Sequence, residues 1–246
     1  MLAALVFYES LQAVPSLVRS WWEGCKNKQL SLAFASTISR YFSPVLVDNQ
    51  LVHLRDPTDV LAKPLRDDPN FSVKVSSTTS EVKATYVVDE QTMEITVRLP
   101  PDFPLQSVEV KDVRKIGVTE ATWRAWLLAV QQVLTTQGGK IVDALTLFKR
   151  NVSLHFEGVE ACAICYSIIS VTDRTLPNKS CRTCNNKFHA SCLFKVRGCP
   201  CMTRLDADSL ITVVLDFTLK LLSAVSLALL EIWSSHGKRG GIDTLK

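Results

Sequence analysis

The sequence predicts an α+β protein with N-terminal helices, a four-stranded antiparallel sheet with flanking helices, a small cysteine-rich module and a helical tail. Two observations on hydrophobic periodicity support this. Apolar residues recur at helical spacing before residue 45 and again after Gly117, and they alternate with polar residues over 71–110. A third observation is that seven of the eight cysteines fall between Cys162 and Cys201.

The composition is that of a globular protein with one or two domains. The chain has 246 residues, of which 47% are hydrophobic and 21% charged. The net charge of +4 comes without a long Lys/Arg run, so no direct nucleic-acid readout is expected. The apolar residues 2–8 have no basic residue before them, which favours a buried helix over a secretory signal.

Residues 1–47 are predicted to be the end of a helical array. Apolar side chains recur at helical spacing at Leu17, Val18, Trp21 and Trp22, and again at Phe34, Ile38, Tyr41 and Phe42. Pro15 and Pro44 are predicted to mark helix ends. The tryptophan pair is interpreted as helix packing rather than a binding anchor, and Cys25 as a small buried hydrophobe. Residues 45–70 are predicted to be a polar, proline-punctuated connector that can contain some local structure.

Residues 48–158 are predicted to form the sheet domain. The four alternating runs are Phe71, Val73 and Val75; Val82, Ala84, Tyr86 and Val88; Met93, Ile95, Val97 and Leu99; and Val108 with Val110. Asp89-Glu90 suits a tight hairpin. Two helices should follow, the first with Thr119 as N-cap and an end at Gly138-Gly139, the second over Ile141–Val152.

The spacing of the clustered ligands predicts zinc. Tetrahedral zinc takes four Cys or His ligands, and a Cys-x-x-Cys turn can direct two thiolates at one ion. Eight candidate ligands therefore suit two ions in an interleaved arrangement. The first set is Cys162, Cys165, His189 and Cys192, and the second is Cys181, Cys184, Cys199 and Cys201.

The second set departs from the usual spacing. Cys199-Pro200-Cys201 has one intervening residue, where zinc knuckles generally need two or more. Three outcomes stay open: a distorted second site, a site of three thiolates with another group, or no second ion. The expected cofactor is thus two zinc ions if the module is complete and one if it is not.

Two segments resemble known domains. The strand and helix order, with Pro100-Pro101-Asp102-Phe103-Pro104 after the third strand, resembles an RWD domain, which is a binding module. The module over 159–204, with Cys162-Ala-Ile-Cys165, Cys181-Arg-Thr-Cys184 and Lys187-Phe188-His189, resembles the variant RING finger of the listerin family. Listerins carry helical repeats, an RWD domain and a RING in this order.

The resemblance implies a cytosolic, RING-type ubiquitin-protein ligase that acts in ribosome-associated quality control. Such a ligase docks on stalled large ribosomal subunits and ubiquitinates nascent chains. It has no catalytic nucleophile of its own and orients a charged ubiquitin-conjugating enzyme. Ile164 and Pro200 match the positions that contact this enzyme, and local packing is a second interpretation of Ile164.

The resemblance ends after Lys195. The family has a tryptophan next, a longer loop and Cys-Pro-x-Cys, whereas this chain has Val196 and only six residues between Cys192 and Cys199. The change suggests an alternative terminal exon or a change of reading frame. It keeps open a catalytically impaired, zinc-binding adaptor that binds the ribosome without ligase activity.

The tail, residues 205–246, is predicted to be helical and is apolar over 210–233. A membrane span needs about 20 mostly apolar residues. Asp216 and Lys220 interrupt the run, and charges are costly within a bilayer. A packed helix is therefore favoured, and a membrane-inserted helix is the alternative.

Overall fold

The computed structural model describes residues 2–56, 58–76, 78–181 and 184–195. Contacts within the chain define two compact units. Unit 1 comprises the described residues of Met1–Ala161 together with Ser167–Leu176. Unit 2 comprises those of Cys162–Tyr166 and of Pro177–Lys246. The predictions for Cys199, Pro200, Cys201 and the tail concern residues outside the described part of the chain.

Unit 1 begins with helices that share a small apolar core. These are α1 (Leu2–Ala13), α2 (Pro15–Glu23), α3 (Lys28–Thr37), a π-helical turn (Ile38–Phe42) and α4 (Ser43–Arg55). Leu11, Ile38 and Leu46 are buried in this core, and Trp22 packs against it. The packing interpretation is therefore confirmed for Trp22, whereas Trp21 is 54% exposed and meets the ring of Phe34 edge to face.

Helix α4 corrects two sequence expectations. It occupies part of the segment predicted to be a connector, and Pro44 lies in its first turn rather than at a helix end. Pro15 likewise begins α2. Proline lacks an N–H, which is no loss at Pro15 because an N–H in the first turn of α2 has no intrahelical acceptor. Pro44 instead follows directly on the π-helical turn Ile38–Phe42, inside a helical stretch that begins at Lys28. The boundary predicted between residues 47 and 48 falls inside α4.

The continuous helical stretch Lys28–Arg55 is long and apolar enough, by length and composition only, to cross a membrane. Within unit 1, three of its apolar side chains are buried: Ile38, Leu46 and Leu51. Leu51 belongs to the main core of the unit, whereas Leu46 belongs to the N-terminal core. Helix α4 thus contributes to both cores.

The predicted four-stranded sheet is confirmed. After the short helix α5 (Lys63–Arg66) come β1 (Phe71–Ser76), β2 (Glu81–Val88), β3 (Gln91–Arg98) and β4 (Glu109–Arg114), paired antiparallel in chain order. One face is buried, as the alternation predicts, with Val82, Ala84, Tyr86, Met93, Ile95 and Val97 in the main core. Asp89 and Glu90 form the β2–β3 turn, both with positive φ (47° and 66°), as tight hairpins often require.

Two helices cover the buried face of the sheet: α6 (Glu120–Thr135) and α7 (Ile141–Phe156). The Thr119 hydroxyl accepts a hydrogen bond from the Thr122 N–H at 3.3 Å, which confirms the predicted N-cap. Trp123 and Phe148 are fully buried between these helices, with ring centroids 5.9 Å apart. The turn after β3 is also held by a hydrogen bond, which Arg19 of α2 donates to the Pro104 carbonyl at 3.1 Å.

Unit 2 contains short elements in its described part. These are β5 (Lys179–Ser180), β6 (Lys187–Phe188) and α8 (Ala190–Lys195), with β5 and β6 forming a two-stranded antiparallel hairpin. The hairpin and helix carry four of the predicted metal ligands, and the turn at 162–166 carries two more.

Candidate metal centre

The first Cys pair lies on a tight turn. The Tyr166 N–H donates to the Cys162 carbonyl at 2.8 Å, which closes the turn around Cys162 and Cys165. The Ala163 N–H donates to the Lys187 carbonyl at 3.1 Å, so the turn is also attached to β6. A turn closed in this way directs two thiols to the same side, as the Cys-x-x-Cys spacing predicts.

The other two ligands of the first set follow β6. His189 lies between β6 and α8, and Cys192 is in the first turn of α8. The Leu193 N–H donates to the His189 carbonyl at 3.1 Å, which fixes the start of the helix relative to the histidine. The sequence spacing His-x-x-Cys therefore becomes one helical turn that presents both side chains to the Cys162–Cys165 turn.

The four side chains converge as predicted. One ligand atom from each of Cys162, Cys165, His189 and Cys192 lies within 4.8 Å of the others. His189 Nδ1 is 3.3 Å from the Cys165 Sγ and 3.8 Å from the Cys192 Sγ. Ligands at about 2.0–2.3 Å from a tetrahedral ion are separated by similar distances. This donor set, three sulfurs and one imidazole nitrogen, fits a metal ion of the zinc type.

Two thiols of the cluster, those of Cys162 and Cys192, have pKa values shifted in opposite directions. Burial would raise the pKa of the Cys162 thiol, but hydrogen bonds from the backbone of Cys165, His189 and Ile164 prevail and lower it to about 6. Burial, together with the neighbouring sulfurs of Cys165 and Cys162, raises the pKa of Cys192 to about 12. One thiolate thus forms readily and opposes ionisation of the next. A divalent cation would remove that conflict, because its charge offsets several thiolates at once.

Part of the second predicted set lies within the described residues. Cys181 and Cys184 occupy the β5–β6 connection, where Cys181 N–H donates to the Asn186 carbonyl at 3.0 Å and Asn185 N–H donates to the Cys181 carbonyl at 2.8 Å. Asn185 has a φ of 58°, a conformation that asparagine tolerates well. This is a knuckle-like turn, and its predicted partners Cys199 and Cys201 lie outside the described residues. The second ion therefore stays a prediction.

Two further predictions concern Ile164 and Cys25. Ile164 is half-buried and packs on the cluster formed by Cys162, Cys181, Phe188 and Cys192. The local packing expected for Ile164 is therefore present. Its contact with a conjugating enzyme stays a prediction. Cys25 is half-buried and separate from the metal cluster. The six cysteines in the described part of the chain are not joined in disulfides.

Sequence reasoning missed one feature near the site. Ser167–Leu176, which lies between the two Cys pairs in sequence, belongs to unit 1 rather than to the metal module. Ile169 is only 1% exposed there and is part of the main core. The available signal was the apolar pair Ile168-Ile169, which is unusual in a loop that only connects ligands.

Two protein families match parts of the chain. Residues 1–55 match the LTN1 family HEAT repeat region, and residues 71–155 match the ubiquitin conjugating domain-like family. The first match covers the N-terminal helices, and the second covers the four strands with α6 and most of α7.

Several proteins named E3 ubiquitin-protein ligase listerin are similar to the chain. The Schizosaccharomyces pombe protein is 43% identical over 198 residues, which cover 79% of this chain and 12% of the relative. The Saccharomyces cerevisiae protein is 38% identical over 188 residues (76% and 12%), and the Xenopus tropicalis protein 40% identical over 194 residues (79% and 11%). The chain thus matches only about one eighth of the length of these relatives.

The HEAT repeat match lies in the N-terminal helices, the ubiquitin conjugating domain-like match lies in the sheet domain, and a Cys/His cluster follows both. These three features agree with identities of 38–43% to listerins over more than three quarters of the chain. The chain belongs to the listerin family.

Proposed function

We propose that this chain is the part of a RING-type ubiquitin-protein ligase that engages a ubiquitin-conjugating enzyme. The observation that carries the proposal is the convergence of Cys162, Cys165, His189 and Cys192 within 4.8 Å, directly after a domain of the ubiquitin conjugating type. The names of the listerin relatives, E3 ubiquitin-protein ligases, support it. Zinc is the proposed metal because three sulfurs and one imidazole are its preferred ligands.

The protein's own residues would act by positioning. Zinc would supply rigidity to the module rather than a reaction step. Residues 71–155 contain no cysteine, so the sheet domain cannot itself carry ubiquitin as a thioester. The cysteines at the metal centre are ligands and are not available as nucleophiles. The proposed role is therefore to hold a charged conjugating enzyme so that a substrate amine attacks its thioester, with a gain in rate from proximity and orientation.

Ile164 is the residue most suited to test this role. We expect Ile164→Ala to slow discharge of ubiquitin from a charged conjugating enzyme onto free lysine by about tenfold or more, since one lost apolar anchor costs about 1–3 kcal/mol. Leu128→Ala is the matched control, because Leu128 is 69% exposed on α6. Both variants should retain the metal content of the unaltered chain. Equal discharge by the Ile164→Ala variant and the control would contradict the proposal.

We also propose that the substrates are nascent chains on stalled large ribosomal subunits in the cytosol, with the RWD-like domain facing the ribosome. The support is the family resemblance alone. Cosedimentation of the purified chain with large subunits that carry a nascent chain tests it, and empty small subunits are the control. Carbonate extraction tests the rival membrane attachment through 210–233, since release into the supernatant rules out insertion.

A second candidate function is a zinc-binding adaptor that lacks ligase activity. It is favoured by the single residue between Cys199 and Cys201 and by the short loop that precedes them. Metal analysis of the purified chain separates the two candidates in part: two zinc ions per chain support a complete module, and one supports an incomplete RING. An adaptor would bind ribosomal subunits while no conjugating enzyme in a panel discharges onto lysine in its presence.

A further inference from the structure

A histidine of unit 1 lies between a carboxylate and an amine. The Nδ1 of His53, on α4, is 2.6 Å from the Asp59 Oδ2, and its Nε2 is 3.3 Å from the Lys140 Nζ. Lys140 directly precedes α7, so the three side chains come from three separate places in the chain. An amine, an imidazole and a carboxylate in this order are the parts of an activated nucleophile, its base and the group that orients the base.

The carboxylate sets the tautomer of the imidazole ring. The hydrogen bond from His53 lowers the pKa of Asp59, and the Leu61 N–H, which donates to the other carboxylate oxygen at 2.8 Å, lowers it further. Asp59 is therefore ionised at neutral pH, and an ionised carboxylate only accepts hydrogen bonds. The proton of a neutral His53 then lies on Nδ1, which leaves the lone pair of Nε2 facing the Lys140 amine.

Both sides of this contact are held by further hydrogen bonds. Arg66 donates to the carbonyl oxygens of Asp59, at 3.4 Å, and of Asp56, which fixes the segment that carries the carboxylate. On the other side, Gln50 of α4 accepts from the Ile141 N–H at 3.3 Å and attaches the start of α7 to α4. The imidazole side chain is 22% exposed, whereas the lysine is exposed. A fixed base thus meets an amine that solvent and reagents can reach.

This arrangement suits aminolysis of an activated acyl group. An amine that attacks a carbonyl carbon becomes an ammonium in the tetrahedral adduct, and the adduct reverts to reactants unless a base takes that proton. The Nε2 of His53 lies within hydrogen-bond reach of the attacking nitrogen. Thioesters are activated acyl groups of the kind that react with amines in this way, and the proposed function supplies one of them, the ubiquitin thioester.

We propose that Lys140 is an acylation site, at which the Lys140 amine attacks a thioester with His53 as the base and Asp59 as a positioning residue. The Nζ lone pair forms a C–N bond to the acyl carbon, and the proton on that nitrogen passes to the His53 Nε2. The C–S bond breaks, its electron pair leaves with the sulfur, and the imidazolium returns the proton to this thiolate through solvent. The products are an amide on Lys140 and a free thiol.

Two donors share this chemistry, a small acyl thioester and the ubiquitin thioester on a conjugating enzyme. Only the second donor rests on the proposed function. The reactivity of the amine depends on residues of unit 1 alone, and it is therefore testable without any conjugating enzyme.

The first arm of the test uses a small donor. The full, zinc-loaded chain is incubated with acetyl coenzyme A, and mass spectrometry follows acetylation of Lys140 and of Lys28, an exposed lysine that begins α3. We expect Lys140 to react faster by about tenfold or more. This advantage should disappear in His53→Gln, because the amide can donate to Asp59 but takes up no proton. Equal rates at the two lysines of the unaltered chain overturn the proposal.

The dependence on pH separates a base from a merely structural contact. In the unaltered chain the advantage of Lys140 over Lys28 should fall when acid protonates the imidazole, whereas in His53→Gln the ratio of the two rates should not change with pH. Asp59→Asn should reduce the advantage several-fold, since an amide can also accept from the tautomer-shifted ring or donate to Nδ1 and so no longer fixes the lone pair on Nε2. Denaturation midpoints show that each variant is folded. An advantage that persists in His53→Gln overturns the role of the base.

The second arm separates the two donors. The chain is incubated with a ubiquitin-charged conjugating enzyme, and ubiquitin on Lys140 and on Lys28 is measured in the same sample, with discharge onto free lysine in parallel. Excess ubiquitin on Lys140 that is lost in His53→Gln supports the ubiquitin thioester as a donor. Discharge onto free lysine without that excess overturns it. Absence of any discharge overturns the proposed function instead, and the result with acetyl coenzyme A then decides on Lys140 by itself.

Discussion

Unit 1 and unit 2 are each stabilised internally, by different interactions. In unit 1 the main core joins the sheet to two helices, and large side chains such as Trp123 and Phe148 are completely buried. In unit 2 the buried apolar cluster consists of Cys162, Cys181, Phe188 and Cys192, so three of its four members are predicted metal ligands. The sulfur atoms of Cys162 and Cys192 would bind the first ion, and that of Cys181 belongs to the second predicted set.

The difference means that one chain combines two kinds of stability. Burial of apolar surface contributes about 25 cal/mol per Å² whatever ions are present. A ligand cluster in a segment too small for a large core depends on the ion, because the free energy of metal binding becomes free energy of folding. Removal of the metal should therefore destabilise unit 2 and leave unit 1 folded. A core substitution in unit 1 should destabilise unit 1 and leave the metal content of unit 2 unchanged.

The largest expected effect is that of metal removal. We expect a strong chelator to abolish hydrogen-exchange protection in β5, β6 and α8 while β2 and β3 keep theirs, since structural zinc contributes about 10–16 kcal/mol in isolated zinc-finger peptides. Exchange measured by mass spectrometry on the same sample compares both regions. The His189→Ala variant should behave like the chelated chain without chelator. Persistent protection of α8 in the chelator would contradict the metal-dependent fold.

A core substitution should have the converse effect. Phe148 is fully buried in α7 and contacts the rings of Trp123 and Phe71. Phe148→Ala is expected to lower the free energy of unfolding of unit 1 by about 3–5 kcal/mol, through lost burial and a cavity, with metal content unchanged. Leu154→Ala on the same helix is the matched control, because Leu154 is 57% exposed. Chemical denaturation followed by tryptophan fluorescence gives both values, and equal values would contradict the core assignment.

The two units also differ in how their sequences predict structure. The strands of unit 1 could be predicted because a half-buried sheet imposes a strict period of two, visible from Phe71 to Val97. The first metal set could be predicted because the chemistry of zinc restricts both residue type and spacing. In each case one physical requirement acts on neighbouring residues and leaves a local pattern.

The features that sequence missed depend on contacts between distant residues. Most of helix α4 lies in the segment 45–70, which was predicted to be a connector, because Pro44 was predicted to mark a helix end. In the structure Pro44 follows a π-helical turn and the helix continues to Arg55. Residues 167–176 pack against the core of unit 1, and two of their N–H groups donate to Asp89, which lies about 80 positions earlier in the chain. Two hydrogen bonds to one carboxylate produce no periodicity, so no local pattern could have revealed them.

The smallest effect expected is that of acid on a single hydrogen-bonded pair in unit 1, His53 and Asp59. His53 Nδ1 is 2.6 Å from the Asp59 Oδ2, and this hydrogen bond, with one from the Leu61 N–H, holds the pKa of Asp59 below its ordinary value. Because the folded pKa is the lower one, the stabilisation is complete above the ordinary pKa and disappears as pH falls through the folded value.

Asp59→Asn should therefore unfold at lower denaturant than the unaltered chain at pH 7, and the difference should shrink below about pH 4. The Glu90→Gln variant, altered at an exposed turn, is the control. Unit 2 should lose its structure at a higher pH than unit 1 does, because protons compete with the metal for the thiolate and imidazole ligands of unit 2. A difference between Asp59→Asn and the unaltered chain that stays constant down to pH 2 would mean that the Asp59 carboxylate does not account for the acid sensitivity of unit 1.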